Sequence, residues 1–201
     1  MAIIALLIGA YLIGSIPFGL LLGKAMGVDV RQAGSGNIGA TNVHRLLGRK
    51  LGIFTLVADS AKAIVPMLLA RWLVTGHGGP ATADLWVGLS GACAFLGHLF
   101  PIYLRFKGGK GVATALGVFL VLEPWAALIS LVLFVAVVFW SGYVSLGSLA
   151  AAAFMPFCIW LLGGSVQYVA LALFVGIFIW LKHRDNLARL LRGEEKSWKN
   201  K

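Results

Sequence analysis

Long apolar runs separated by short polar segments pattern this chain from end to end. The runs approach or exceed the roughly 18–20 residues that a helix needs to cross a hydrocarbon core. The pattern therefore predicts an all-α integral membrane protein with about seven transmembrane helices, over residues 2–23, 51–74, 85–104, 112–122, 125–140, 146–163 and 165–182. Only Glu123-Pro124 separates the fourth run from the fifth, so 112–140 reads either as one kinked helix or as two helices. Proline after an acidic residue, with Trp125 next, favours a tight turn at the membrane interface. The fourth helix is then about 16 Å long at 1.5 Å per residue, short enough to require protein around it rather than lipid throughout. The first stretch, MAIIALLIGAYLIGSIPFGLLLGK, lacks a basic start and a small-residue cleavage site, and reads as a retained span.

Composition agrees with the pattern. Of 201 residues, 60% are hydrophobic and 12% charged, too few polar groups to cover a soluble domain. The mean hydropathy is +0.91. The length suggests one domain, residues 1–201. Lys and Arg outnumber Asp and Glu by 17 to 7, and their placement matters more than their number. Segments 24–50, 105–110 and 182–201 hold fifteen of the seventeen, all but Lys62 and Arg71. The intervening turns near 75–84, 123–124 and 163–165 hold none. The positive-inside rule then places the N-terminus outside, the C-terminus in the cytoplasm and all three basic segments on the cytoplasmic face. Orientation and an anionic substrate explain the basic excess, and no nucleic acid is expected as a partner. Cys93 and Cys158 lie inside apolar runs without metal-ligand spacing and read as packing residues.

A cytoplasmic loop needs only cations, yet these loops carry more. The segment GSGNIGATN supplies Gly34, Gly36 and Gly39, with Ser35, Asn37, Thr41 and Asn42 between and after them. Glycines let successive N–H groups point into one concavity suited to phosphate oxygens, and Arg45 can pair bidentately with phosphate. A flexible connector is the plainer reading. The segment FKGGKGVAT repeats the theme, with Gly108, Gly109 and Gly111 beside Lys107 and Lys110 at the start of a helix. It lacks the Walker A spacing. His98, earlier in the third run, reads as a structural or a catalytic histidine. His183 and Asn186 stand three residues apart, on one face if the last helix continues. The leucines and arginines that follow also suit an interfacial amphipathic tail. Asp59 and Lys62 lie a turn apart within the second span, where mutual pairing is the economical account and a polar cavity the other.

Three segments together, GSGNIGATNVHR, GHLFPIYLRFKGGKGVAT and HRDNLARLLRGEE, resemble those of the bacterial acyl-phosphate:glycerol-3-phosphate acyltransferases, in the same order. The resemblance extends over almost the whole chain through the apolar pattern. It implies transfer of a fatty acyl group from acyl phosphate to the 1-hydroxyl of sn-glycerol 3-phosphate, giving lysophosphatidic acid for phospholipid synthesis. It implies no cofactor and no metal, a bacterial cytoplasmic (inner) membrane location, and contact with membrane lipid. A soluble phosphate acyltransferase that forms the acyl phosphate is an expected partner. Carried over by motif, Ser35, Arg45, Lys107, His183 and Asn186 are the catalytic residues. Gly34, Gly36, Asn37, Gly39, Thr41 and Asn42 bind substrate phosphate, as do Gly108, Gly109, Lys110, Gly111 and Ser145, the last matching a family serine.

Acyl phosphate is already activated, so no covalent acyl-enzyme is needed. The H-x-x-x-x-D arrangement of another acyltransferase class is absent, since the fifth residue after His44, His77, His98 and His183 is Arg49, Thr82, Tyr103 and Ala188. The resemblance implies that the donor's phosphate accepts the hydroxyl proton, with His183 as general base the alternative. An anion transporter is the competing class, because glycine-interrupted helices and buried cations occur there too. It fits less well, since the polar motifs cluster on one face and no inverted repeat is evident.

Overall fold

Proline and glycine divide the apolar runs into helices, and the computed structural model describes residues 2–74 and 80–199. Contacts divide the chain into two compact units, residues 1–121 and 122–201. The described residues hold helices and turns but no strand.

The first unit opens with α1 (Ala2–Gly14) and α2 (Phe18–Ala25), followed by α3 (Ala40–Leu47), α4 (Arg49–Val74) and α5 (Pro80–Leu99). A short 3-10 turn (Ile102–Leu104) leads to α6 (Val112–Leu122), whose last residue already falls in the second unit. The expected single span 2–23 is broken instead: α1 and α2 meet at 40°. Pro17 is the cause, since it donates no N–H and its ring excludes straight helix on its N-terminal side. Lys62 Nζ donates to the Ile16 carbonyl at the break, at 3.1 Å. Helices α1 and α5 approach so closely that a Cβ on Gly14 would collide with the Ala94 backbone, and one on Gly97 with the Tyr11 carbonyl. Small residues at such crossings are how membrane helices gain packing without a hydrophobic drive. Tyr11 Oη closes the contact by donating to the Phe100 carbonyl at 2.7 Å. No residue of the short α6 is exposed, as its length required. Ser60 Oγ, on α4, donates to the α6 carbonyl of Ala113 at 2.9 Å.

The second unit contains α7 (Pro124–Ser141), α8 (Val144–Leu161), α9 (Val166–Lys182) and α10 (Arg184–Leu191). Glu123 precedes α7 with Pro124 at its first position, so the favoured reading of two helices holds. Gly142 turns α7 into α8 with φ 81°, and its N–H closes α7 on the Val138 carbonyl at 2.8 Å. The last span ends at Lys182 as expected, but the chain does not continue straight through His183: α9 and α10 bend by 59° there. Both the backbone N–H and ring Nδ1 of His183 converge on the Ile179 carbonyl, at 3.0 and 2.8 Å, so the residue closes α9 rather than extending it. Gly142 and the C-terminal tail lie at one end of this unit, where Trp198 N–H donates to the Gly142 carbonyl at 2.9 Å. Glu123 and Gly164, from two cation-free turns, adjoin one another in the same unit.

Among the described residues, four helices are long and apolar enough to cross a membrane, and up to six spans result if each bent pair counts once. At eleven residues, α6 falls below that length. Large apolar side chains such as Trp72, Val132, Trp140 and Val166 are exposed on helix faces. Water would not tolerate such surfaces over this area, whereas lipid does. Of the turn expected near 75–84, residues 75–79 lie outside the described residues, and 80–84 are already helical.

Candidate active site

The loop between α2 and α3 is organised by a side chain. Asn42, buried in the first turn of α3, reaches back beneath residues 30–37. Its Oδ1 accepts the Ser35 N–H at 2.8 Å, and its Nδ2 donates to the carbonyls of Val30 (2.8 Å), Asn37 (2.9 Å) and Ala33 (3.2 Å). Gly36 N–H donates to the Ala33 carbonyl at 3.0 Å. The N–H groups of Ser35 and Gly36 therefore hold the loop to itself, where the sequence suggested a shared concavity for phosphate. Gly34 is needed twice over, because φ is 64° and a Cβ would strike Asn42 Oδ1.

What the loop presents outward is side-chain chemistry. Ser35 is exposed, as are Gly34 and Gly36, while Asn37 and Gly39 are half-buried. Thr41 and Arg45, one turn apart on α3, are also exposed and share a face. Arg31 grips Asp29 through Nε at 2.9 Å and Nη2 at 2.6 Å, and these hydrogen bonds hold the Asp29 carboxyl down at about 2. Leu20, Val30, Ile38 and Val43 form the apolar floor under the loop.

Leu104 packs against that same floor, which brings the second glycine segment beside the first. Arg105 and Phe106 then adopt left-handed conformations, with φ 50° and 64°. Such values are unfavourable for a bulky residue and persist where neighbours over-determine them. Here the neighbours are backbone groups. Phe106 N–H donates to the Pro101 carbonyl at 2.9 Å, Gly108 N–H to Leu99 at 3.2 Å and Gly109 N–H to His98 at 3.1 Å. The last two acceptors are end carbonyls of α5, which its own helix cannot satisfy. A Cβ at Gly108 would overlap the His98 carbonyl and one at Gly109 the His98 ring, so these glycines serve close approach. Lys107 stands exposed at the tip, and Lys110 and Gly111 lead into α6.

In the second unit two of the predicted residues, Ser145 and Asn186, meet on a carboxylate that the sequence reading overlooked. Glu195 Oε1 accepts from Ser145 Oγ at 2.8 Å and Asn186 Nδ2 at 2.6 Å, while Oε2 accepts from Arg189 Nε at 2.8 Å. Burial works against this carboxylate, but the hydrogen bonds from Asn186, Arg189 and Ser145 outweigh it and hold the group below its ordinary value. An acid within a cationic tail was the available signal. His183 and Asn186 are both buried. A carbonyl oxygen only accepts, so the bond to Ile179 puts the proton on His183 Nδ1 and makes Nε2 the basic nitrogen of the neutral ring. Among the described residues no group of three or more His, Cys, Asp or Glu could hold a metal ion.

Residues 4–193 match the family model described as glycerol-3-phosphate acyltransferase. A relative of that description from Desulfotalea psychrophila is 56% identical over 192 residues, covering 96% of each chain. Another, from Geobacter metallireducens, is 54% identical over 196 residues, covering 98% of this chain and 97% of the relative. A crystal structure of PlsY, an integral membrane glycerol 3-phosphate acyltransferase in its glycerol 3-phosphate form, is similar with TM-score 0.91 and 38% identity, covering 98% of this chain and 96% of that one. A second form of PlsY, with lysophosphatidic acid, gives TM-score 0.88 at the same identity, over 98% of this chain and 95% of that one.

Proposed function

Because this chain belongs to the glycerol-3-phosphate acyltransferases, a family of membrane enzymes, we propose that it acylates the 1-hydroxyl of sn-glycerol 3-phosphate with acyl phosphate as donor. The products are lysophosphatidic acid and inorganic phosphate. The observation that carries this reading is the pairing of the two glycine segments on one apolar floor, with Ser35, Arg45 and Lys107 all presented outward. Arg45 offers a planar fork for one phosphate and Lys107 a mobile point charge. Ser35 supplies an exposed hydroxyl on the first loop. Asn42, Gly34, Gly108, Gly109 and Gly111 act by building the loops, whereas Gly36, Asn37, Gly39, Thr41 and Lys110 line their approaches. Ser145, His183 and Asn186 are assigned to the reaction by their motif resemblance alone.

In the reaction the hydroxyl oxygen attacks the acyl carbonyl carbon, the bond from that carbon to the phosphate oxygen breaks, and phosphate leaves. The hydroxyl proton passes to an oxygen of the departing phosphate. The donor thus supplies both leaving group and base, and the protein's work is alignment and charge stabilisation. His183 Nε2 is the competing base. A pH–rate profile of His183→Ala, with chemistry limiting, separates the two: a slow enzyme with the wild-type profile supports the donor phosphate. Loss of a titrating limb near the ordinary histidine value of about 6.5 assigns the proton to His183.

The chain works in the bacterial cytoplasmic membrane with seven spans, its N-terminus outside, and its basic segments and active site facing the cytoplasm. The fifteen clustered cations and the cation-free turns support this orientation. A soluble enzyme that makes acyl phosphate would deliver the donor from that side. The test of the reaction is phosphate release by purified protein in lipid. Release that requires both acyl phosphate and glycerol 3-phosphate, with lysophosphatidic acid formed in equal amount, is expected. Activity with acyl-CoA but none with acyl phosphate would overturn the donor assignment.

A further inference from the structure

Asp59, Lys62 and His98 are buried together in the first unit, and the reaction described above uses none of them. Lys62 Nζ lies 3.0 Å from Asp59 Oδ1, which accounts for two charges at membrane depth. A pair of apolar residues would satisfy α4 with less desolvation, so stability alone is a weak reason for the pair. Its other contacts are more informative. Lys62 Nζ also reaches the Ile16 carbonyl at the proline break. Asp59 Oδ1 also faces His98 Nδ1, at 3.7 Å.

His98 stands at the end of α5, against the second glycine loop. Its carbonyl accepts the Gly109 N–H, and its ring nitrogen Nε2 occupies the place where a side chain at 109 would begin. One edge of the imidazole thus faces a carboxylate, and the opposite edge abuts a glycine two residues from Lys107. Lys107 is held from both sides, by the left-handed Arg105 and Phe106 before it and by the bonds of Gly108 and Gly109 to the end of α5 after it.

We propose that His98 is a positioning residue for the loop that carries Lys107, oriented by the buried Asp59–Lys62 pair. The inference rests on the acyltransferase reading and deepens it: the polar cluster fixes the height and tilt of Gly109, and so the reach of Lys107 to a substrate phosphate. His98 touches the loop and not the reacting atoms.

The test begins with Lys107→Ala, which identifies the loop's substrate as the one whose KM rises. His98→Leu should raise that same KM about tenfold while leaving the other substrate's KM unchanged and kcat within about threefold, because the loop moves but the reacting groups remain. His98→Asn, which keeps an N–H toward Asp59, should recover part of the loss. Gly109→Ala should be damaging because its methyl meets the ring. Combining it with His98→Asn should give a KM at least about fivefold below the product of the two single effects, since contacting residues couple.

An unchanged KM for the loop's substrate in His98→Leu overturns the proposal, as do strictly multiplicative effects in the double variant. If His98→Leu does not accumulate, the pair of Gly109→Ala and His98→Asn decides the matter by the same rule. A wild-type protein that transfers no acyl group to glycerol 3-phosphate refutes the acyltransferase reading instead, and that result is visible before any variant is made.

Discussion

The two glycine loops look alike in sequence and are built by opposite means. The loop at 31–39 is held by one side chain, Asn42, whose amide bonds four backbone groups around it. The loop at 105–111 is held by its own backbone, pressed onto the end of α5 so tightly that side chains at 108 and 109 have no room. In the first loop Gly34 and Gly36 meet a dihedral need, and in the second Gly108 and Gly109 meet a steric need alone. A glycine-rich motif therefore does not declare which physical demand it answers. The N–H groups of Ser35, Gly36, Gly108 and Gly109 all bond within the fold, while Ser35, Arg45 and Lys107 are exposed.

The strongest way to break this contrast is Asn42→Leu. The change keeps the branched skeleton but leaves the Ser35 N–H and three carbonyls without their partner. With about 1–3 kcal/mol for each buried group left unsatisfied, a loss of about 3 kcal/mol or more is expected. Thermal unfolding of the detergent-solubilised protein measures it, and a variant within about 1 kcal/mol of wild type would disprove the hub. Gly108→Ala comes next. Its methyl meets the His98 carbonyl and Pro101, which cannot swing aside, so overpacking of about 1–3 kcal/mol is expected. Activity should fall further than stability, because the displaced loop carries Lys107.

Glu195 extends the comparison to a hub that can be titrated. Its folded-state value lies below the ordinary 4.5, so its bonds to Ser145, Asn186 and Arg189 stabilise the tail fully above that value and weaken as pH falls through the lowered one. The contribution is expected to be about 1 kcal/mol after allowance for partial exposure. Amide exchange at Trp198, corrected for its intrinsic pH dependence, should accelerate on acidification. In Glu195→Gln it should be fast already at neutral pH. Tail protection that is indifferent to both changes would remove Glu195 from its anchoring role.

The smallest expected effect is the most discriminating. Gly39 has an extended backbone, with φ −82° and ψ 169°, and a Cβ there would meet only Asn37 at 3.4 Å. Gly39→Ala should change stability by less than about 0.5 kcal/mol. If activity nevertheless drops with a higher KM, the space at Gly39 is reserved for substrate. Unchanged kinetics would make it a connector residue.

Much of the fold was legible in the chain because helix boundaries are local events. Pro124 and Gly142 act on the dihedrals and hydrogen bonds of their own neighbourhoods, and the runs they bound became the helices expected. Pro17 was equally visible, but apolar residues on both sides concealed the break it makes. The bend at His183 was hidden for a related reason, since His183 and Asn186 suit a continuing helix as well as a bent one.

The sequence by itself determined that this is a helical membrane protein, where its cations collect, and which three segments carry its polar chemistry. Those features depend on composition and on spacing along the chain. Tertiary structure alone decided that Asn42 faces inward, that Gly108 and Gly109 answer to α5, and that Glu195 joins Ser145 to Asn186. It also placed Asp59 and Lys62 beside His98. Each of those outcomes is a hydrogen bond, charge contact or steric contact between groups distant in sequence or reached around a turn. Such pairings depend on which atoms meet in space, and spacing along a chain does not encode that meeting.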